Sequence, residues 1–157
     1  MSREHVKIVS DASYHYKTKI GGYAFCIFTK DFSERFWGSF EDSISNPTEA
    51  ELKSIIKSLT TLKNMQVKIG RLEIVTDCEF IAKFFSHSKG KNSIIKDLCN
   101  KITEHLDDLD FTEIEFVHVK AHKENLESFN NHANNWCDKQ SRLASEIAVN
   151  KYLKSLN

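Results

Sequence analysis

Over residues 1–40 the apolar positions recur with a period of two. Residues 5–11 place Val6, Ile8 and Ser10 on one face and Lys7, Val9 and Asp11 on the other. That alternation predicts a half-buried strand. Gly21 and Gly22 open a second strand over 23–28, Lys30 and Asp31 mark a turn, and 34–40 is a third, aromatic-rich strand. Connections this short favour antiparallel hairpins. After Pro47 the period changes. Leu52, Ile55, Ile56, Leu59 and Leu62 share one face of a predicted helix over 48–62. Pro47 stands at or just before its start, where proline is tolerated, and Asn46 or Thr48 is placed to cap it. Gly70 ends the connection to a strongly apolar strand over 71–76. The pattern then predicts a short helix over 79–85, a polar loop over 87–92, a helix over 94–106 and an alternating strand over 111–119. A polar loop over 123–131 and a helix over 134–153 complete the chain.

This order predicts an α/β fold built on a five-stranded mixed sheet. Three antiparallel N-terminal strands are followed by strands parallel to the first, with helices on both faces. No internal repeat or low-complexity tract interrupts it. At 157 residues, 40% hydrophobic and 28% charged, the chain is expected to form a single domain over 1–157. No apolar run approaches the ~18–20 residues of a membrane helix, and Met-Ser-Arg-Glu-His lacks the apolar stretch of a secretion signal. The expected setting is cytoplasmic, away from membranes, with the chain a monomer. Cys26, Cys78, Cys99 and Cys137 form no Cys-x-x-Cys pair, so they are expected to be reduced thiols in the core. Twenty-two basic residues balance 22 acidic ones. Any contact with nucleic acid must therefore come from local patches, without a general positive field.

Four acids stand out by position. Asp11 is expected to end the first strand, and Asp77 follows the strand over 71–76. Carboxyl ends of parallel strands are where α/β folds place their sites. Glu51 lies early in the first long helix and Asp138 near the expected start of the last. Any one of them alone reads as a turn residue, a cap or a solvated charge. Gathered together, they would raise one another's pKa. Hard divalent cations relieve such repulsion, and oxygen ligands select Mg²⁺ or Mn²⁺ over Zn²⁺. Two such ions ~3.5–4 Å apart can clamp a phosphodiester. Periodicity does not separate Glu51 from Glu49, which flanks the same apolar face at a nearly equal angle.

Five segments in order, Val9-Ser10-Asp11-Ala12-Ser13, Thr48-Glu49-Ala50-Glu51-Leu52, Ile74-Val75-Thr76-Asp77-Cys78, Val119-Lys120-Ala121-His122 and Asn134-Asn135-Trp136-Cys137-Asp138, resemble the type 1 ribonuclease H family. The resemblance covers nearly the whole chain. It implies an endonuclease that uses two Mg²⁺ ions, with Mn²⁺ as a substitute. Such an enzyme cuts the RNA strand of an RNA–DNA hybrid, leaving 5′-phosphate and 3′-hydroxyl ends. It also implies that Asp11, Glu51, Asp77 and Asp138 bind the metal, and it selects Glu51 over Glu49 because the family's acid precedes a large apolar residue. Asp11 and Asp77 would bridge or flank the ions, Glu51 would serve the ion nearer the leaving group, and Asp138 the ion that activates water. His122 matches a loop histidine that aids proton movement and product release.

The sequence departs from the family in three places. Ala12 stands where glycine is common, and Cys78-Glu79 where Ser-Gln is common, so Glu79 puts substrate affinity in question. Only residues 86–91 are available for the basic protrusion some members carry, and no separate hybrid-binding domain is expected. Hybrid contacts then fall to Lys17, Lys19, Lys89, Lys91, Lys120 and Lys123, with Ser13, Asn46, Thr48, Glu79 and Asn134 as further candidates. His118 is expected to be packed or half-buried, His132 to belong to the loop or cap, and Trp37 and Trp136 to pack at the core or its rim. The rival functions are a nuclease of the same fold acting on DNA or another nucleic acid, and a degenerate non-catalytic domain that binds nucleic acid.

Overall fold

The computed structural model describes residues 3–84, 93–120 and 128–157. Five strands form one mixed sheet: β1 (Glu4–His15), β2 (Ile20–Phe28), β3 (Ser33–Ser39), β4 (Ile69–Thr76) and β5 (Glu113–His118). Their spatial order is β3-β2-β1-β4-β5. The hairpin pairs β1/β2 and β2/β3 are antiparallel, and β1/β4 and β4/β5 are parallel. Helices α1 (Pro47–Met65) and α3 (Ser93–Asp107) cover one face, α4 (Phe129–Ser155) covers β1 to β3 on the other, and α2 (Glu79–Phe84) follows β4. The mixed sheet and its two helical faces agree with the pattern-based expectation.

The two faces hold separate cores. Even-numbered β1 residues Val6 and Ile8 pack with Leu52, Ile55, Leu59 and Leu62 of α1, all essentially excluded from water. The helical stripe read from the sequence is therefore the face that is buried. Burying each Leu or Ile contributes about 1.5–3 kcal/mol. On the opposite face Val9, Cys26 and Val75 meet Ala133 and Cys137 of α4. Close approach there depends on Gly22, because a Cβ on it would lie 2.2 Å from the Ser141 carbonyl oxygen. All four cysteines are free thiols; three are buried and Cys78 is partly so.

Two boundaries differ most from expectation, while β2, α1 and β4 each extend two or three residues beyond the expected ends. β1 does not end at Asp11. It pairs with β2 as far as His15↔Ile20, and Lys19, at φ 63°, closes the turn. Residues 12–15 are half-buried, so they show no clean alternation from which to extend the strand. Helix α4 begins at Phe129, five residues before the expected start. Ser128 caps it, accepting from the Asn131 N–H, and Phe129 packs edge-on to Phe28 at 4.8 Å. Tertiary packing thus overrides the loop preference of the asparagine run. His132 is accordingly helical, and Asp138 lies in the third turn of α4.

Candidate active site

Parallel pairing of β1 with β4 stops at Val9↔Val75. Beyond it β1 continues beside β2 alone, Ser10 and Asp11 pairing with Phe25 and Ala24. β4 ends at Thr76, whose hydroxyl accepts the Cys78 N–H at 3.1 Å and fixes the turn that carries Asp77. Asp11 and Asp77 thus meet where two parallel strands part company, even though Asp11 is inside its strand.

The first turn of α1 separates the two glutamates that periodicity left equivalent. Asn46 caps the helix, its Oδ1 accepting the Glu49 N–H at 2.9 Å, while Glu49 Oε2 accepts the Ser45 N–H at 3.0 Å. Glu49 closes a reciprocal cap. Glu51 instead reaches β1, where its Oε1 accepts the Ala12 N–H at 3.1 Å. The same N–H lies 2.9 Å from Asp11 Oδ1. One helical turn on, the Ser54 hydroxyl donates to the Asp11 carbonyl at 3.1 Å and lies 2.7 Å from the Ser10 hydroxyl. This lock holds helix and strand together next to the two acids. Sequence reading missed Ser54. Its signal was a polar residue three positions after Glu51 on an otherwise apolar helical face.

Carboxylate oxygens of Asp11, Glu51 and Asp77 all lie within 4.8 Å of one another and form a group that could hold a metal ion. Asp11 is 2% exposed and Glu51 9%. Asp11 Oδ2 and Glu51 Oε2 are buried with no hydrogen-bond partner among the described residues. Burial, with the nearby charges of Asp77 and Asp138, pushes the Asp11 carboxyl up from 3.8 to about 8, against the lowering effect of the adjacent Glu51 carboxyl and the Ala12 N–H. Burial and the Asp11 charge push Glu51 well above the usual carboxylate range. Without a cation, the pair therefore retains protons at neutral pH.

Asp138 lies outside this trio. Its Oδ1 accepts from Arg142 Nε, one turn along α4, at 3.2 Å, and its charge still acts on Asp11. Asn134, one turn before Asp138, is 2% exposed with Oδ1 unpartnered among the described residues. The remaining candidates are dispersed. The Ser13 hydroxyl turns to α4, 2.7 Å from the Ser141 carbonyl and 2.8 Å from the Ser145 hydroxyl; it ties β1 to α4. Asn46 commits its side-chain oxygen to the cap of α1, and Thr48 is half-buried beside it. Glu79 is exposed and pairs with Lys83 at 2.7 Å, which lowers its pKa. Lys120 is exposed, as is His118, against the expectation of a packed histidine. His118 is the last residue of β5, near enough to Glu79 for its charge to act there. Lys89, Lys91, His122 and Lys123 lie outside the described residues.

The family model for RNase H matches residues 3–146. The chain is similar in structure to the N-terminal RNase H domain of a Mycobacterium tuberculosis protein, with a TM-score of 0.75 at 14% identity over 95% of this chain and 99% of that one. It is similar to LC11-RNase H1, isolated from compost and solved in complex with an RNA/DNA hybrid, with a TM-score of 0.74 at 16% identity over 92% and 99%. RNase H1 from the archaeon Halobacterium salinarum gives 0.68 at 14% identity over 89% and 96%. A comparison of the sequence with curated proteins gives no match. A family match across residues 3–146, on a chain whose strands and first helix bring three acids together, leads to one conclusion: the chain belongs to the RNase H family of hydrolases.

Proposed function

We propose that this chain is a metal-dependent endoribonuclease that cuts the RNA strand of RNA–DNA hybrids at the Asp11–Glu51–Asp77 group. One observation carries the reading: two buried carboxylate oxygens, Asp11 Oδ2 and Glu51 Oε2, lack any donor among the described residues inside a three-acid cluster. An unpaired buried polar atom is costly, and an oxygen-only donor set suits Mg²⁺ or Mn²⁺. Asp11, Glu51 and Asp77 would hold the metal, with Asp138 completing a second position. Two bound divalent ions would polarise the scissile phosphate, activate water and stabilise the leaving oxygen.

The protein's own contribution is preorganisation. Ser54 fixes the Asp11 backbone, the Ala12 N–H holds Asp11 and Glu51 in one orientation, and burial keeps bulk water from screening them. His122, by its resemblance, would aid proton movement and product release. The hybrid complex of LC11-RNase H1 supports the choice of substrate, and contacts to the 2′-hydroxyl would distinguish RNA from DNA.

Labelled RNA–DNA hybrid, double-stranded RNA, double-stranded DNA and single strands, each with Mg²⁺, Mn²⁺ or EDTA, test the proposal. Cleavage confined to the hybrid's RNA strand and abolished by EDTA is expected. Persistence in EDTA overturns the metal reading, and cleavage of DNA overturns the substrate.

A further inference from the structure

Arg35 and Trp37 of β3, and Ile147, Lys151 and Tyr152 in the second half of α4, have no part in the proposed cleavage. β3 is an edge strand of the sheet. The Phe40 N–H donates to the Gly21 carbonyl and the Thr29 N–H to the Phe32 carbonyl, both at 2.9 Å. Those two bonds fix the phase of the antiparallel ladder, so even-numbered residues of β3 face β2. The backbone N–H and C=O groups of Arg35, Trp37 and Ser39 therefore point outward from the edge.

The side chains of Arg35 and Trp37 turn to the α4 face. Arg35 sits over the Trp136 ring at 5.1 Å, and Trp37 meets Trp136 edge-on at 5.9 Å. Trp37 remains 55% exposed. Beyond it a groove of about 580 Å³ runs between β3 and the second half of α4, lined by Trp37, Ser39, Ile147, Lys151 and Tyr152 among others. Ile147 is 60% exposed and Tyr152 45%.

We propose that this groove and the free edge of β3 dock an extended acidic peptide segment of a partner protein, added to the sheet as a sixth strand. Three features of the site select this occupant. The outward N–H and C=O groups match a peptide backbone, which a nucleic acid lacks. Alternate side chains of an added strand would fall into the Trp37–Ile147–Tyr152 groove. Lys151 is the charged residue that lines the groove, and Arg35 stands two residues from its Trp37 wall, on the same face of β3. The two acids of α4 lie elsewhere, Asp138 paired with Arg142 and Glu146 in a separate depression beside His15. A second copy of the chain would bring its own Arg35 and Lys151 to the same interface, so charge favours an acidic peptide over self-pairing.

A displayed library of short peptides alternating Asp or Glu with a randomised position is the probe. Enrichment of peptides with bulky apolar residues at the randomised positions is expected. The enriched peptides should change tryptophan fluorescence and slow amide exchange at Arg35, Trp37 and Ser39, the outward set. Trp37→Ala and Lys151→Glu should each weaken binding at least about tenfold, and Ser39→Pro, which removes one outward N–H at a sheet edge, should weaken it with the fold intact. Hybrid cleavage should be unchanged in all three. No enrichment over a Trp37→Ala control overturns the proposal, as do equal binding of neutral alternating peptides and unprotected outward amides. Protection of the same amides by single-stranded DNA, or by self-association of the chain, overturns it in favour of those occupants.

Discussion

Strands β1 and β4 carry buried carboxylates at two places, and the two places are built on opposite rules. Glu73, 8% exposed, is paired with two cations, Lys7 at 3.2 Å and Arg71 at 3.8 Å, and the His5 ring lies 3.7 Å away. Lys7 is itself held by Asn130 at 2.7 Å and lies over the Phe129 ring, so this network joins the sheet to the first turn of α4. At the other end of the same strands Asp11, Glu51 and Asp77 converge, and two of their buried oxygens have no donor among the described residues. Where the fold gains by burying an acid, it supplies the cation. Where it gathers three acids, leaving buried oxygens of Asp11 and Glu51 without a donor among the described residues, the cation is expected from solution. The cation-paired acid and the three-acid group thus lie at opposite ends of one pair of strands, and each half of that contrast can be broken.

The largest expected effect is on turnover. Asp11→Asn and Glu51→Gln should each nearly abolish hybrid cleavage in Mg²⁺, whereas Glu73→Gln should leave it near wild type; single-turnover rates decide. His122→Ala should slow cleavage by at most about 10²–10⁴-fold. A loss as deep as that of Asp11→Asn would show that this histidine does more than move a proton.

Next comes pH. Folding raises the Asp11 pKa from 3.8 to about 8 and raises that of Glu51. The metal-free fold therefore binds protons that the unfolded chain has released. This stabilisation is fully present below about pH 4 and is lost as pH climbs through about 8. Chemical denaturation without metal should show stability falling across that window by a few kcal/mol, since a tenfold difference in proton affinity between folded and unfolded chains is worth about 1.4 kcal/mol. Asp11→Asn should flatten the slope and stabilise the metal-free protein at pH 8. An Asp11→Asn variant that melts earlier than wild type without metal would contradict the repulsion argument.

Glu73→Gln tests the other half. Removing the acid leaves Lys7, only 21% exposed, short of its charge partner, and stability should fall by about 1–3 kcal/mol. Thus Asn at one buried acid should stabilise at pH 8, and Gln at the other should destabilise. The smallest effect belongs to Glu49→Gln. It should leave cleavage near wild type and cost about 1 kcal/mol or less from the cap of α1.

The sequence made the core of this arrangement legible and its connections obscure. Leu52, Ile55, Leu59 and Leu62 repeat at helical spacing, and that spacing is the buried stripe. The acid following an apolar strand is enough to mark Asp77. Asp11 is marked for a partly wrong reason: no local signal shows that β1 outlives its pairing with β4, because that depends on where another strand stops. Ser13 reads as a substrate contact because its hydroxyl partners lie 128 and 132 residues away on α4. The choice between Glu49 and Glu51 comes from resemblance alone in the sequence. In the fold it comes from cap chemistry, since Glu49 serves Ser45 while Glu51 reaches Ala12. The start of α4 is hidden because asparagines favour loops locally, while Phe28 and the sheet recruit them into a helix.

The claim that the three-acid group is a cation site is tested most directly by calorimetric titration of the metal-free protein with Mn²⁺ near pH 7, in two buffers of different ionisation enthalpy. Binding should occur with release of protons from the Asp11–Glu51 pair, seen as a buffer-dependent heat, and should be lost in Asp11→Asn but retained in Glu73→Gln. Absence of binding, or binding that Asp11→Asn leaves intact, would contradict the account.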